Sequence, residues 1–398
     1  MASEGPDRVI PGLDERNGAA PPAHSTGLLP AQEIRALVRA REVQAACEID
    51  EAQIQPASLD LRLGDEAWRV RASFLPGPEA TVAERLAAFG MHRISLADGA
   101  VLEKGCVYIV PLLESLALKS RTSGMANPKS STGRLDVFTR LITDRSAVFD
   151  QVAAGYKGPL YAEISPRTFS IVVRRGSSVS QLRLRCGSPP ITDTALRRLH
   201  QAVPLVAGDA ASGGGGDAAK RRAAADIDEG IAVTVDLAPR DGRPVGWRAR
   251  RHTGLIDLGR IDHYEPHEFW EPVTPDGQGC VVLNPGDFYI LASRQAVTVP
   301  PDHAAEMRPY DTRVGEFRVH YAGFFDPGFG LAAAGGEGSR AVLEIRSFEV
   351  PFALRHDQLV GRLVYERLTA PPERLYGSGI GSSYQRQGLQ LAKQFRRP

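Results

Sequence analysis

The chain has little cysteine and almost no charge imbalance. Its four cysteines among 398 residues, Cys47, Cys106, Cys186 and Cys280, are scattered and form no C-x-x-C pair. That spacing excludes a disulfide framework and a cysteine zinc cluster, and leaves reduced core thiols. Lysine and arginine total 48 against 47 acidic residues, a net charge of +1. A balance this even gives no reason to expect nucleic acid or a membrane surface as partner. No apolar run reaches the roughly 18 to 20 residues that cross a bilayer, and the opening Met1-Ala-Ser-Glu-Gly-Pro-Asp7 lacks the basic and apolar regions of a secretory leader. The expected compartment is the cytoplasm.

What the chain does have is a repeat. Val101-Leu-Glu-Lys-Gly-Cys-Val-Tyr-Ile109 is answered 181 residues later by Val282-Leu-Asn-Pro-Gly-Asp-Phe-Tyr-Ile290. The same offset relates Ala162-Glu-Ile164 to Leu343-Glu-Ile345, Arg174 to Arg355, Val179 to Val360 and Leu182 to Leu363. A constant offset over three blocks means two copies of one domain.

Between the repeated blocks the sequence runs in short alternating segments set apart by glycine, proline and polar turns. Cys106–Val110, Leu160–Ile164 and Phe169–Val173 are examples in the first copy; Ile231–Leu237, Phe288–Leu291, Glu316–Tyr321, Ala341–Ile345 and Leu359–Tyr365 are examples in the second. This spacing predicts mainly β structure, two tandem β-barrels with a few short helices. The helices are expected from Pro30 to Arg41, near Val82–Phe89 and at Asp193–Ala202. Gln55-Pro-Ala-Ser-Leu-Asp-Leu-Arg-Leu-Gly64 alternates before a glycine and predicts a strand entering a turn.

The domain boundaries follow. Residues 1–25 form a lead without apolar period, expected to be disordered. The first barrel takes 26–200, a linker rich in glycine 201–228, the second barrel 229–375 and a tail 376–398. The tail, Tyr376-Gly-Ser-Gly-Ile-Gly-Ser-Ser-Tyr-Gln-Arg-Gln-Gly388, carries too much glycine for a core strand. It is either loose or closes over a ligand.

Two features bear on chemistry. Lys129-Ser-Ser-Thr-Gly-Arg134 gathers two cations and several hydroxyls, donors suited to phosphate oxygens, although such a short loop is ordinarily a solvated turn. Glu163 and Glu344 each lie inside an apolar strand. A carboxylate there either faces solvent or is buried with a raised pKa, in which case it is a candidate general base toward water.

Taken in order, these residues resemble the dCTP deaminases, nucleotide deaminases built on the dUTPase-like β-barrel. Ser130-Ser-Thr-Gly-Arg134 with Lys129 before it resembles the family's serine and arginine loop. Asp326-Pro-Gly328 followed by Val342-Leu-Glu344 resembles its aspartate turn and catalytic glutamate strand, Gln55–Gly64 its early strand, and Tyr376 with Tyr384-Gln-Arg-Gln387 its tail. The resemblance covers roughly 28–190 and 230–394.

Several positions depart from the pattern. The second copy has Pro309-Tyr-Asp-Thr-Arg313 in place of the serine loop, and the first has Phe149-Asp-Gln-Val-Ala-Ala-Gly155 in place of the Asp-Pro-Gly turn. Phe324 and Ser383 stand where the family carries basic residues.

The resemblance implies sites between neighbouring barrels. Lys129, Ser130, Ser131 and Arg134 come from the first copy; Asp326, Glu344, Tyr376 and Gln387 come from the second. It makes Glu344 the first choice of base and Glu163 the second.

The implied reaction is hydrolysis of dCTP to dUTP and ammonia, with the nucleotide as the small-molecule partner and the chain in a homo-oligomer, a trimer being one arrangement. Magnesium is expected to ride on the triphosphate. The zinc deaminases pair H-x-E with P-C-x-x-C, and no P-C-x-x-C occurs in the chain, so no zinc and no metal ligand is expected. A dUTP pyrophosphatase, a bifunctional enzyme and a non-catalytic nucleotide-binding regulator are the alternatives.

Overall fold

The computed structural model describes residues 24–207, 225–238, 243–308, 317–319, 323–331, 338–377 and 388–397. In the first half one sheet runs in the order Gly90–Ser95, Glu66–Val70, Val107–Ala117, Lys157–Pro166, Val137–Thr143. A second sheet has Ser178–Cys186 and Thr122–Pro128 at its centre, flanked by Gly27–Leu28, Leu59–Arg62 and Gln151–Val152. Ala100–Leu102 pairs with Ile171–Val173.

The second half repeats most of this pairing, without a counterpart to the Gly27–Leu28 strand among the described residues. One sheet runs Trp270–Val273, Gly246–Ala249, Phe288–Val297, Ser339–Ser347, Phe317–Val319; the other runs Ile231–Thr234, Leu359–Arg367, His303–Arg308, Phe324–Phe325. Cys280–Leu283 pairs with Phe352–Arg355. Even single bonds recur: the Tyr108 hydroxyl accepts from the Glu103 N–H and the Tyr289 hydroxyl from the Asn284 N–H, each at 3.0 Å. Glu163 lies opposite Ile109, and Glu344 lies opposite Ile290.

Helices occupy Ala31–Arg39, Val82–Phe89 and Asp193–Ala202, as the pattern predicts, with two single turns at Ser130–Gly133 and Pro266–Phe269. Local chemistry sets two of their starts. Thr81 and Glu84 form a reciprocal capping box, and the Thr192 hydroxyl accepts from the Ala195 N–H. The four cysteines are free; Cys280 is buried and the other three are partly exposed.

The alternation of polar and apolar residues predicts strands with one wet face, but the glutamate strands are buried on both. In Lys157–Pro166, Leu160, Ala162 and Ile164 point into the first barrel's core while Tyr161 packs with Phe74, Val82 and Leu86. In Ser339–Ser347, Ala341, Leu343 and Ile345 point into the second barrel's core. Val342 instead joins Trp270, Phe288 and Ile290 in the first barrel's cluster. The same outer face is therefore covered by an inserted segment in one half and by the other barrel in the second.

Burying such a side chain fully contributes about 1.5–3 kcal/mol. Several together hold Glu344 in a place that a carboxyl alone would leave for water.

The tail differs from expectation over its last part. Leu391, Ala392 and Phe395 are at most 5% exposed and belong to the first barrel's cluster. Phe395 packs its ring against Tyr264, Phe269 and Trp270. The glycines before residue 388 masked this apolar anchor in the sequence. Residues 1–23, most of the 201–228 linker and the glycine-rich stretch 378–387 lie outside the described residues.

Candidate active site

The serine and arginine loop folds into a single helical turn, Ser130–Gly133, between strands Thr122–Pro128 and Val137–Thr143. The Lys129 carbonyl accepts from the Thr132 and Gly133 N–H groups, and Arg134 closes the turn. Asp136 follows at φ 55°, a left-handed conformation that aspartate tolerates better than most residues. The tight turn buries Ser131, Thr132 and Arg134, while Lys129 and Ser130 stay half-buried.

Arg134 reaches across to the second barrel. Its Nε lies 3.8 Å from Glu344 Oε1, both side chains buried, and its Nη1 donates to the Gln390 carbonyl at 3.1 Å. Two residues further on, each segment carries the opposite charge and a second pair forms, Asp136 with Arg346. Arg346 also donates to Thr168 Oγ1 at 2.8 Å, and the Thr168 hydroxyl donates to Asp136. The crossed pairs set the register of one barrel on the other. Burial pushes the Glu344 carboxyl up to about 8, against the pull of the Arg134 charge. Near neutral pH it therefore holds its proton loosely enough to exchange it.

Asp326 begins the Asp-Pro-Gly turn. Gly328 sits at φ +92°, where a Cβ would also meet Leu375 at 2.8 Å, so this position requires glycine. Tyr376 lies on the turn, its N–H donating to the Pro327 carbonyl and its ring 5.7 Å from Phe329.

Arg183 of the first copy donates to Asp326 Oδ1 at 3.3 Å and to the Ala305 and Phe325 carbonyls, with its guanidinium 3.9 Å from the Phe324 ring centre. Burial raises the Asp326 pKa and Arg183 opposes it; Asp60 and Lys129 are near enough to add smaller effects.

Lys129 pairs with Asp60, which sits in the early strand at Leu59–Arg62. Beside them lies a polar cavity of about 170 Å³, lined in part by Lys129, Ser131, Ser178 and Lys393.

Glu163 stands apart from this assembly. Its described contacts come from its own half: Ser73 donates to it at 2.6 Å, and Arg140 and Asp150 are its charged neighbours. Burial raises its pKa, opposed by the Ser73 bond. Gln387 and Arg313 lie outside the described residues.

The structure thus joins Arg134 to Glu344, sets Lys129 and Ser131 on one cavity, and seats Tyr376 on the Asp326 turn. Sequence reasoning missed Asp60, Arg183 and Lys393. Asp60 lay within a motif already singled out. Arg183, in an alternating strand, looks like any outward-facing cation.

Two family models match the chain: the N-terminal domain of 2'-deoxycytidine 5'-triphosphate deaminase over residues 25–188 and its C-terminal domain over 192–395. The dCTP deaminase, dUMP-forming, of Halobacterium salinarum is 35% identical over 151 residues, covering 37% of this chain and 72% of that protein. The protein of the same name from a Parafrankia species is 33% identical, covering 36% and 71%. Among solved structures, 2'-deoxycytidine 5'-triphosphate deaminase from Agrobacterium tumefaciens is 51% identical with a TM-score of 0.80, over 88% of this chain and 100% of that one. Matched along both halves and sharing the fold of a solved member, the chain is an enzyme that belongs to the 2'-deoxycytidine 5'-triphosphate deaminase family.

Proposed function

We propose that the chain hydrolyses dCTP at C4 of the cytosine, releasing ammonia, with Glu344 as the proton-transferring base. The observation that carries this is the buried Glu344 carboxyl, pushed up to about 8 and facing Arg134 from the other copy. A base poised near the working pH both takes a proton and gives it back. Glu344 accepts the first proton of a water as its oxygen bonds to C4 and passes that proton to the ring nitrogen N3, giving the tetrahedral adduct. Glu344 then takes the remaining hydroxyl proton and gives it to the exocyclic amine, the C4–N bond breaks, C4 becomes a carbonyl and ammonia leaves.

Arg134 draws Glu344 toward the carboxylate and so opposes part of the effect of burial. Ser130 and Ser131 supply hydroxyls and Lys129 a cation toward the phosphates. Asp326, held by Arg183, and Tyr376 shape the turn on the nucleoside side, and Gln387 joins from the tail. Magnesium comes with the triphosphate as part of the substrate.

The product is dUTP if the reaction stops there. The Halobacterium and Parafrankia proteins are named as dUMP-forming, which favours a second reading in which the same site goes on to release pyrophosphate. Incubating the purified protein with dCTP and Mg²⁺ and resolving the products tests both. Ammonia with dUTP supports simple deamination, and ammonia with dUMP and pyrophosphate supports the bifunctional reading. Nucleotide binding without any turnover refutes both and leaves a regulator.

A further inference from the structure

Alternation along strand Ser178–Cys186 puts Arg183 on the outside of the first barrel. Its neighbours Leu182 and Leu184 point into that barrel's core, so its own side chain takes the opposite face. A cation there is ordinarily wet. Docking of the second barrel leaves it 1% exposed instead.

The second barrel meets it with acceptors from two paired strands. Ala305, in His303–Arg308, lies opposite Phe325, in the two-residue strand Phe324–Phe325. Arg183 Nη1 donates to the Ala305 carbonyl and Nη2 to the Phe325 carbonyl, each at 3.0 Å, and Nη2 also reaches Asp326 Oδ1 at 3.3 Å. One planar fork thus spans the end of the strand pair and the first residue of the turn that follows. Backbone bonds carry the order onward. The Phe329 N–H donates to the Asp326 carbonyl and the Gly328 N–H to the Val299 carbonyl, each at 3.0 Å, and the Tyr376 N–H donates to the Pro327 carbonyl at 2.8 Å.

Stability alone is a poor reason for an arginine here, because burying a guanidinium costs desolvation that a well-packed apolar side chain avoids. Its charge does have other neighbours. Glu366 lies 3.9 Å from Arg183 Nη1, Glu306 is a further buried carboxyl held by the Asn127 amide at 3.0 Å, and Arg185 is a second cation toward both. On the far side of Asp326 stand Asp60 and Lys129. An apolar side chain, however, cannot bond two carbonyls and a carboxylate at once, and a lysine has the charge without the fork.

We propose that Arg183 is a positioning residue for the deaminase site: presented by the first barrel, its guanidinium clamps the Ala305–Phe325 strand pair and aims the Asp326 carboxylate at the nucleoside. The place of Asp326 on the nucleoside side rests on the deaminase reading above; the clamp stands on the contacts alone.

The test reads kcat/KM for dCTP beside the melting temperature in the native chain, Arg183→Met, Arg183→Lys, Asp326→Asn and two double variants, Arg183→Met with Asp326→Asn and Arg183→Met with Glu366→Gln. Arg183→Met and Asp326→Asn should each lower kcat/KM by roughly ten- to a hundredfold, the loss of a charge-assisted bond. Because one acts through the other, combining them should cost little more than Asp326→Asn alone. Glu366→Gln removes a carboxylate that Arg183→Met leaves unpaired, so adding it should recover melting temperature but not kcat/KM. Arg183→Lys should remain roughly tenfold below the native kcat/KM.

Losses that multiply when Arg183→Met and Asp326→Asn are combined overturn the proposal. So does full recovery of kcat/KM on adding Glu366→Gln, which would leave Arg183 a counter-charge of the interface and nothing more. Should Arg183→Met fail to fold, Arg183→Lys takes its place beside Asp326→Asn with the same two outcomes. A native chain that binds dCTP but releases no ammonia sinks the deaminase reading; the clamp is then read in dCTP affinity by calorimetry, where non-additive losses support it and multiplying losses refute it.

Discussion

At the scale of single residues, Glu344 joins two properties with a common cause. Burial lifts its carboxyl from an ordinary 4.5 to about 8, so the folded state prefers the protonated form. Its contribution to stability is therefore complete below the unfolded pKa and is lost as pH rises through about 8. Glu344→Gln, permanently neutral and of similar shape, should accordingly gain in melting temperature relative to the native chain between pH 6 and pH 9. A difference that does not change with pH would mean the carboxyl titrates as it does in water.

The same substitution should cut ammonia release by about 10² to 10⁴ while dCTP still binds, as calorimetry can show. Glu163→Gln is expected to retain activity, because the described contacts of Glu163 are Ser73, Arg140 and Asp150 of its own half. An active Glu344→Gln with a dead Glu163→Gln would reverse the two roles.

At the scale of elements, the Ser130–Gly133 turn and the C-terminal segment behave differently. The turn supplies donors, so Arg134→Ala and Ser130→Ala should weaken kcat/KM for dCTP by about ten- to a hundredfold, Ser130→Ala with little change in fold and Arg134→Ala with a loss of stability as well, because it strips the buried Glu344 of its partner. Steady-state kinetics beside circular dichroism would check both parts. The C-terminal segment is instead part of the core. Phe395 is 4% exposed among three aromatic rings, and Phe395→Ala should cost roughly 3–5 kcal/mol in denaturant unfolding. A variant as stable as the native chain would return the whole tail to the status of a lid.

At the scale of the molecule, one chain brings Arg134 and Glu344 together across its own two barrels. An Arg134→Ala chain mixed with a Glu344→Gln chain should therefore stay inactive, because each retains its own defect in that site. Recovery of activity on mixing would show that working sites form between chains, as the homo-oligomer expectation allows.

The barrels themselves were legible without coordinates. Repeated strands at a constant offset, turn glycines and the helices at Val82–Phe89 and Asp193–Ala202 are local signals carried by side-chain period and capping, and the structure has them. The order of the motifs also pointed to Lys129, Ser130, Arg134, Asp326 and Glu344. Period cannot say what covers a strand's second face. Glu163 and Glu344 occupy equivalent strand positions, and only packing separates them: a helix and Phe74 lie over one, the opposite barrel with Arg134 over the other. Asp60, Arg183 and Lys393 met the site through contacts more than 60 residues apart in the chain. The sequence alone determined two β-barrels and offered candidate residues for deamination; tertiary structure decided which glutamate faces an arginine of the other barrel and which cations share a cavity, because burial and long-range charge exist only once the barrels have docked.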